Sequence, residues 1–189
     1  MRPSSSDKCQ RGRDPVVRED GSIEIPLTQG QVAIVDAASY DMVRDRSWWA
    51  MFNRDTNSWY AFGWIGGRNT GMSRDILGNP PGLEVDHVNH DTLDNRLSNL
   101  RVATGSCNTA NRRARSSATS RFKGVSWKAP NRQWVAQIAV RKRKLHIGLF
   151  RDEEAAARAY DAAARQHFGE FAFTNEDAGL LPALKETGT

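Results

Sequence analysis

Glu84-Val85-Asp86-His87-Val88-Asn89-His90-Asp91-Thr92-Leu93-Asp94-Asn95-Arg96-Leu97-Ser98-Asn99-Leu100-Arg101-Val102-Ala103-Thr104 brackets a loop rich in Asn and Asp with two short apolar segments. Leu83 to His87 reads as a strand with polar groups at its end, and Val88 to Leu97 as the loop. Leu97 to about Asn111 then supplies a second strand and a helix. The order is strand, loop, strand, helix.

Hydrolysis of a phosphodiester requires a nucleophilic water, a group that takes its proton, and a cation that neutralises charge on the phosphate and the leaving oxygen. This segment offers each part. Asp86 and Asn108 carry the hard oxygen donors that suit Mg²⁺, with Mn²⁺ as a substitute, in a sparse two-ligand site. His87 follows Asp86 but points to the opposite side of an extended strand, where it can act as a general base near neutral pH. Read from the residues alone, an Asp-His pair is more often a capped turn with a satisfied histidine than a catalytic pair. His90 reads as a loop-bracing donor, and Cys107 as a small helix residue rather than a ligand.

Upstream, Ile23 to Leu27 and Gln31 to Val35 read as strands around Gln29-Gly30, with Asp36 placed to cap a helix running to about Arg46. Trp48 to Asn53 and Trp59 to Trp64 form a hairpin around Asp55 to Ser58, followed by turns at Gly66-Gly67 and Asn69 to Gly71. The tryptophans of these strands are expected in the core. Met72 to Leu77 is a short apolar-periodic piece that Pro80-Pro81 cannot extend as helix.

Downstream, Gly124 to Lys128, Gln133 to Arg141 and Lys144 to Phe150 read as three strands. A helix capped by Asp152 follows, with Glu153 and Glu154 in its first turn and Gly169 at its stop. Its expected inner stripe is Ala156, Ala159, Tyr160, Ala163 and His167. Strand parity puts Trp134, Ala136, Ile138 and Val140 on the packed face and Gln137, Ala139 and Arg141 on the other, while Lys144 and His146 oppose Leu145 and Ile147.

Charge supports an anionic partner. The chain of 189 residues has a net charge of +5 and a pI near 9.6. Between Arg101 and Arg151 there are thirteen Lys or Arg and no acid, whereas Asp152 to Asp177 holds seven acids against Arg158 and Arg165. Two cysteines, Cys9 and Cys107, are too few for a disulfide framework or a thiolate zinc site, which favours a reducing, cytoplasmic home. Met1 to Arg13 has no apolar signal core and no run approaches the roughly 18 apolar residues of a membrane span, so no membrane partner is expected. No protein partner can be inferred.

The run 84–104, followed by Asn108 and Asn111, closely resembles the HNH endonucleases of the phage homing type. That resemblance implies a ββα-metal motif with His87 as general base, Asn99 as the central Asn that braces the loop, and Asp86 and Asn108 on the metal, giving 5′-phosphate and 3′-hydroxyl ends. Family members often carry Met-His-Arg before the motif where this chain has Met72-Ser73-Arg74. A second resemblance lies in Phe122-Lys123-Gly124-Val125, Trp134-Val135-Ala136-Gln137-Ile138, His146-Ile147-Gly148-Leu149-Phe150 and Glu153 to Asp161 with Gly169 to Asn175. These segments look like the AP2/ERF domain, which reads the DNA major groove with its sheet. The resemblance implies contacts from Ser126, Lys128, Gln137, Lys144 and His146, to which the charge pattern adds Arg141.

The expectation is therefore an α+β chain in five parts. A flexible tail spans 1–20 and an HNH region 21–111, with its ββα-metal core at about 83–111. A linker at 112–121 leads to an AP2/ERF-like module at 122–176, made of a three-stranded antiparallel sheet on one helix, and a tail at 177–189. The function expected is DNA cleavage by a metal-dependent endonuclease bound to double-stranded DNA. The alternative is a non-catalytic, sequence-specific DNA-binding regulator.

Overall fold

The computed structural model describes residues 14–113 and 119–182, so residues 1–13, 114–118 and 183–189 of the expected tails and linker lie outside the described residues. The chain is α+β with several small antiparallel sheets, and it divides into two compact units, Met1–Ala103 and Thr104–Thr189. No described helix is long and apolar enough to cross a membrane.

In the first unit, β1 (Val16–Val17), β2 (Ile23–Pro26) and β3 (Val32–Val35) form one antiparallel sheet. Ordered pairing thus begins inside the stretch read as tail, with Val16 opposite Glu24. Alternation works as the sequence implies: Ile23, Ile25, Ala33 and Val35 are buried while Glu24 is not. Helix α1 (Ala37–Val43) follows Asp36, but the Asp36 side chain does not cap it. Its Oδ2 accepts from Leu97 N at 2.5 Å instead, and the backbone oxygen of Asp36 takes the N–H groups of Ser39 and Tyr40.

Strands β4 (Trp48–Asn53), β5 (Ser58–Ile65) and β6 (Arg68–Gly71) make the second sheet, and the short helix α2 (Met72–Ile76) follows directly. Asn69 to Gly71, read from composition as a turn, is an edge strand. Pairing with β5 satisfies its backbone despite low strand propensity, the usual way tertiary context overrides preference. Trp48 is buried, its indole N–H donating to Val43 O at 2.9 Å. Gly63 is required opposite it, since a Cβ there would meet the Trp48 ring at 2.8 Å. Trp49 and Trp59 are half-buried, and Trp64 is 68% exposed rather than core. Strand parity explains the difference: Ala61 and Gly63 face inward, so Trp64 faces out.

Strands β7 (Glu84–His87) and β8 (Leu100–Ala103) pair antiparallel, with Asp86 opposite Arg101 and His87 opposite Leu100. The intervening loop is pinned to β3, where Ile34 N donates to Leu93 O at 2.8 Å and Asn95 N to Ile34 O at 2.7 Å.

The second unit contains α3 (Gly105–Asn111), β9 (Val125–Lys128), β10 (Gln133–Val140), β11 (Arg143–Phe150) and α4 (Glu153–Phe168). The sheet order is β11-β10-β9, all antiparallel, and α4 packs on one face through Ala156, Ala157, Tyr160 and Ala164. Asp152 caps α4, its Oδ1 accepting from Ala155 N at 2.7 Å, and Gly169 closes the helix. The buried stripe is rotated from the expected one. Ala157, Asp161, Ala164 and Phe168 are buried, whereas His167 is exposed and Ala159 and Ala163 only half-buried. A buried acid inside the stripe hides its period. Asp161 Oδ1 accepts from Asn175 N and Nδ2, both at 2.8 Å, and Oδ2 from Glu176 N at 3.1 Å.

Helix α3 belongs to this unit. Ala110 packs with Ile138, Tyr160, Ala164 and Phe168, and its carbonyl accepts from Phe173 N and from Lys123 Nζ, which also donates to Phe173 O at 3.0 Å. Burial pulls the Lys123 amine down to about 8 against the opposing carboxylates of Asp161 and Asp177, and burial pushes the Tyr160 phenol up. Between about pH 8 and the ordinary 10.5, the unfolded chain holds a proton that folded Lys123 has released, so stability rises with pH. A neutral amine still has two N–H groups for its two carbonyls. Above about pH 10 an unfolded tyrosine ionises while Tyr160 keeps its proton, so stability then falls. Calorimetric scans should show this unit gaining up to about 2 kcal/mol between pH 7.5 and 9.5 and losing it beyond pH 10. A steady decline from pH 7.5 would contradict the burial of Lys123.

Candidate functional site

The loop between β7 and β8 is organised by one side chain. Asn99, 5% exposed, accepts from Asn89 N through Oδ1 at 2.9 Å and donates through Nδ2 to Asp94 O at 2.7 Å and Asp91 O at 3.4 Å. Its own carbonyl accepts from Val88 N at 2.9 Å. The amide thus spans the loop from its first turn to its last with two donated bonds and one accepted, whereas a hydroxyl has a single donor and a carboxylate none. Further bonds stiffen the loop. Asn89 Oδ1 accepts from Asp91 N at 2.7 Å, Asp91 Oδ1 from Leu93 N at 3.0 Å, and Arg96 grips both oxygens of Asp94 at 2.8 Å. That grip holds the Asp94 carboxyl below the usual range.

His87 ends β7 and is buried. Its Nε2 lies 3.3 Å from Asn95 Oδ1, and Asn95 Nδ2 donates to Leu93 O at 3.0 Å. With the amide so oriented, its oxygen faces the ring, so Nε2 carries the proton and Nδ1 is the basic nitrogen. Tyr60 stands edge-on to the imidazole, with ring centroids 6.4 Å apart. Burial pushes the His87 imidazole below its ordinary value, opposed by the Asn95 bond and the carboxylates of Asp86, Asp91 and Asp94. A neutral ring is the form that accepts a proton. His90 adopts a left-handed backbone in the following turn and donates its N–H to His87 O.

Asp86 points to the other face of β7 and is 4% exposed, with Arg101 Nε and Nη2 both 2.8 Å from its Oδ2. Asn108 lies half-buried on α3, in the second unit, behind a Thr104 cap that accepts from Cys107 N. Among the described residues no group of three or more His, Cys, Asp or Glu could hold a metal ion. The expected donors are one carboxylate and one amide, and their hard oxygens fit a cation that keeps most of its waters rather than zinc. Ser73 sits half-buried in the first turn of α2, and Arg74 ties that helix to the approach of β7 through Leu83 O and Pro80 O.

The structure therefore brings Asp86, His87 and Asn99 together on one hairpin and its loop. Sequence reasoning missed Asn95, Tyr60 and Arg101. Only Asn95 and Arg101 lie within the quoted motif, and nothing in it distinguishes their side chains from other polar loop residues.

On the second unit, Ser126, Lys128, Gln137, Lys144 and His146 share the sheet face turned away from α4. Pairing puts Gln133 opposite Lys128, Val135 opposite Ser126, Gln137 opposite His146 and Ala139 opposite Lys144. A register shift between Ala136 and Gln137, against Gly148 and His146, keeps His146 on that face. Arg141 stands in the hairpin turn instead, where it and Lys142 both take left-handed backbone. Residues 104–189 carry 15 Lys or Arg against 8 Asp or Glu, and residues 1–103 carry 12 against 14. The cationic surface thus belongs to the second unit.

The HNH endonuclease family model matches residues 77–110. A rice AP2/ERF and B3 domain-containing protein is 53% identical over 57 residues, which is 30% of this chain and 15% of the rice protein. An uncharacterized HNH endonuclease of Acanthamoeba polyphaga mimivirus is 36% identical over 97 residues, 51% of this chain and 49% of the viral protein. Protein 3.8 of Escherichia phage T7 is 33% identical over 94 residues, 49% of this chain and 76% of the phage protein. The chain therefore spans half or less of the rice and mimivirus relatives. No solved structure matches it.

Proposed function

Because this chain belongs to the HNH endonuclease family, we propose that it is a homing-type, metal-dependent endonuclease that hydrolyses phosphodiester bonds of double-stranded DNA, held there by its AP2/ERF-like module. The observation that carries the reading is His87, fixed by Asn95 with Nδ1 as its basic nitrogen above a loop that Asn99 braces. His87 takes the proton from a water as its oxygen attacks phosphorus, and the bond to the 3′ oxygen breaks, that oxygen taking a proton from solvent. The products are 5′-phosphate and 3′-hydroxyl ends. A hard divalent cation, Mg²⁺ or Mn²⁺, held by Asp86 and Asn108, would neutralise charge on the scissile phosphate and leaving oxygen. The exposed face bearing Ser126, Lys128, Gln137, Lys144 and His146 suits the major groove, with Arg141 on phosphate.

One feature favours the second reading, a regulator that binds DNA without turnover: Ser73 stands where the resemblance expects histidine. Supercoiled plasmid incubated with the purified protein separates the two. Nicking or linearisation with Mg²⁺ or Mn²⁺, abolished by EDTA, is the expected result. Duplex binding without cleavage, across several metals and a range of sequences, would establish the regulator.

A further inference from the structure

The sheet β4-β5-β6 has a second face that the hydrophobic core does not use. Tyr60, Phe62 and Trp64 alternate along β5 with the inward Ala61 and Gly63, and pairing puts Met51 beside Tyr60 and Trp49 beside Phe62. None of these five belongs to a buried cluster of the described residues; Trp64 is 68% exposed and Met51 37%, while Trp49, Tyr60 and Phe62 are half-buried. The third strand offers only small neighbours, Asn69 opposite Trp64 and Gly71 opposite Phe62. An apolar, largely aromatic stripe that opens to the surface at Trp64 and Met51 is suited to binding.

Three observations select the occupant. The stripe leads to the candidate base, since Tyr60 stands edge-on to His87 at 6.4 Å. Alternate residues of a strand lie about 6.8 Å apart, twice the roughly 3.4 Å rise between stacked bases of a duplex strand. The rings therefore match a strand whose bases are drawn apart, whereas duplex base faces are covered by their neighbours. Exposed cations, Arg54 in the β4–β5 turn and Arg68 at the start of β6, flank the two ends of β5 where a phosphate backbone would enter and leave.

We propose that this aromatic face is a docking platform for a single DNA strand with unstacked bases, which it leads past Tyr60 to His87. The platform deepens the nuclease reading and rests on it for the place of the scissile phosphate. It implies that the substrate is locally opened or frayed at the cut.

The test is binding of a fluorescent oligo-dT of about 12 nucleotides to the full chain in EDTA, at elevated salt where contacts to phosphate alone weaken. Trp64→Ala and Phe62→Ala should each lower affinity about 5- to 150-fold, the range for loss of one base stack. Trp64→Phe should retain most of it, and duplex affinity should stay unchanged. Single-strand affinity within twofold of wild type in both alanine variants would overturn the platform, even if the protein cleaves plasmid. Loss of concentration-dependent dimerisation in Trp64→Ala, with single-strand affinity intact, would also overturn it and assign the face to a second copy. The reverse combination, oligo-dT binding lost in the variants of a protein that never cleaves DNA, would sustain the platform while removing the nuclease reading.

Discussion

His87→Ala is expected to reduce metal-dependent plasmid cleavage by roughly 10²- to 10⁴-fold, the usual contribution of a positioned general base. Duplex binding should stay within about twofold, because the cationic surface lies on residues 104–189 and His87 does not. The fold should tolerate the change. His87 lies outside the apolar clusters, and its hydrogen-bond partner Asn95 keeps Leu93 O, so the cost in stability falls well short of unfolding the unit. A variant that binds and keeps its circular dichroism but does not cut identifies the imidazole as chemistry rather than scaffold. Cleavage within about threefold of wild type would remove His87 from the mechanism. A parallel fall in binding and cleavage would show that the histidine shapes the DNA surface instead.

How far such a site was legible in advance depends on which residues carried local signals. The order of β7, loop, β8 and α3 followed from apolar runs and Asn/Asp density, which are local properties of the chain. The parity of β10 was equally local, and Ala136 and Ile138 are buried as alternation demands. The tie between Asn95 and His87 was not legible, because it exists only once the loop folds back across eight residues and is pinned to β3. The α4 stripe was displaced because Asp161, an acid by sequence, is buried on hydrogen bonds from Asn175 and Glu176 that lie beyond the helix. Asn69 to Gly71 lacked strand residues and gained a strand from its neighbour, while Trp64 had the apolar character of a core residue on the outward parity of its strand. Contacts outside the element itself decided the first three, and periodicity within one element cannot see them, whereas Trp64 was decided by strand parity, which its apolar character masked.

Gly124→Ala should destabilise the second unit by on the order of 4 kcal/mol, enough to lower its melting temperature by at least about 15 °C for a unit of this size. Two penalties add. Gly124 has φ +76°, a left-handed backbone that costs an alanine roughly 1 kcal/mol. A Cβ there would also lie 1.9 Å from Tyr160 Cδ2 and 2.2 Å from Cε2. The ring cannot easily yield, since Tyr160 is 5% exposed and packs with Ile138, Ala164, Phe168 and Ala110. The backbone cannot yield either without breaking the bond from Gln137 N to Gly124 O at 2.9 Å, which joins this turn to the sheet. Gly179→Ala provides the control, because it has φ +69° with nothing within 4 Å of the added Cβ and should cost only the backbone strain. Calorimetry of the full chain should show Gly124→Ala lowering one transition, that of residues 104–189, together with loss of duplex binding at 37 °C. Equal losses in the two variants would mean that Tyr160 does not lie beneath Gly124, and the packing of α4 on the sheet would have to be redrawn.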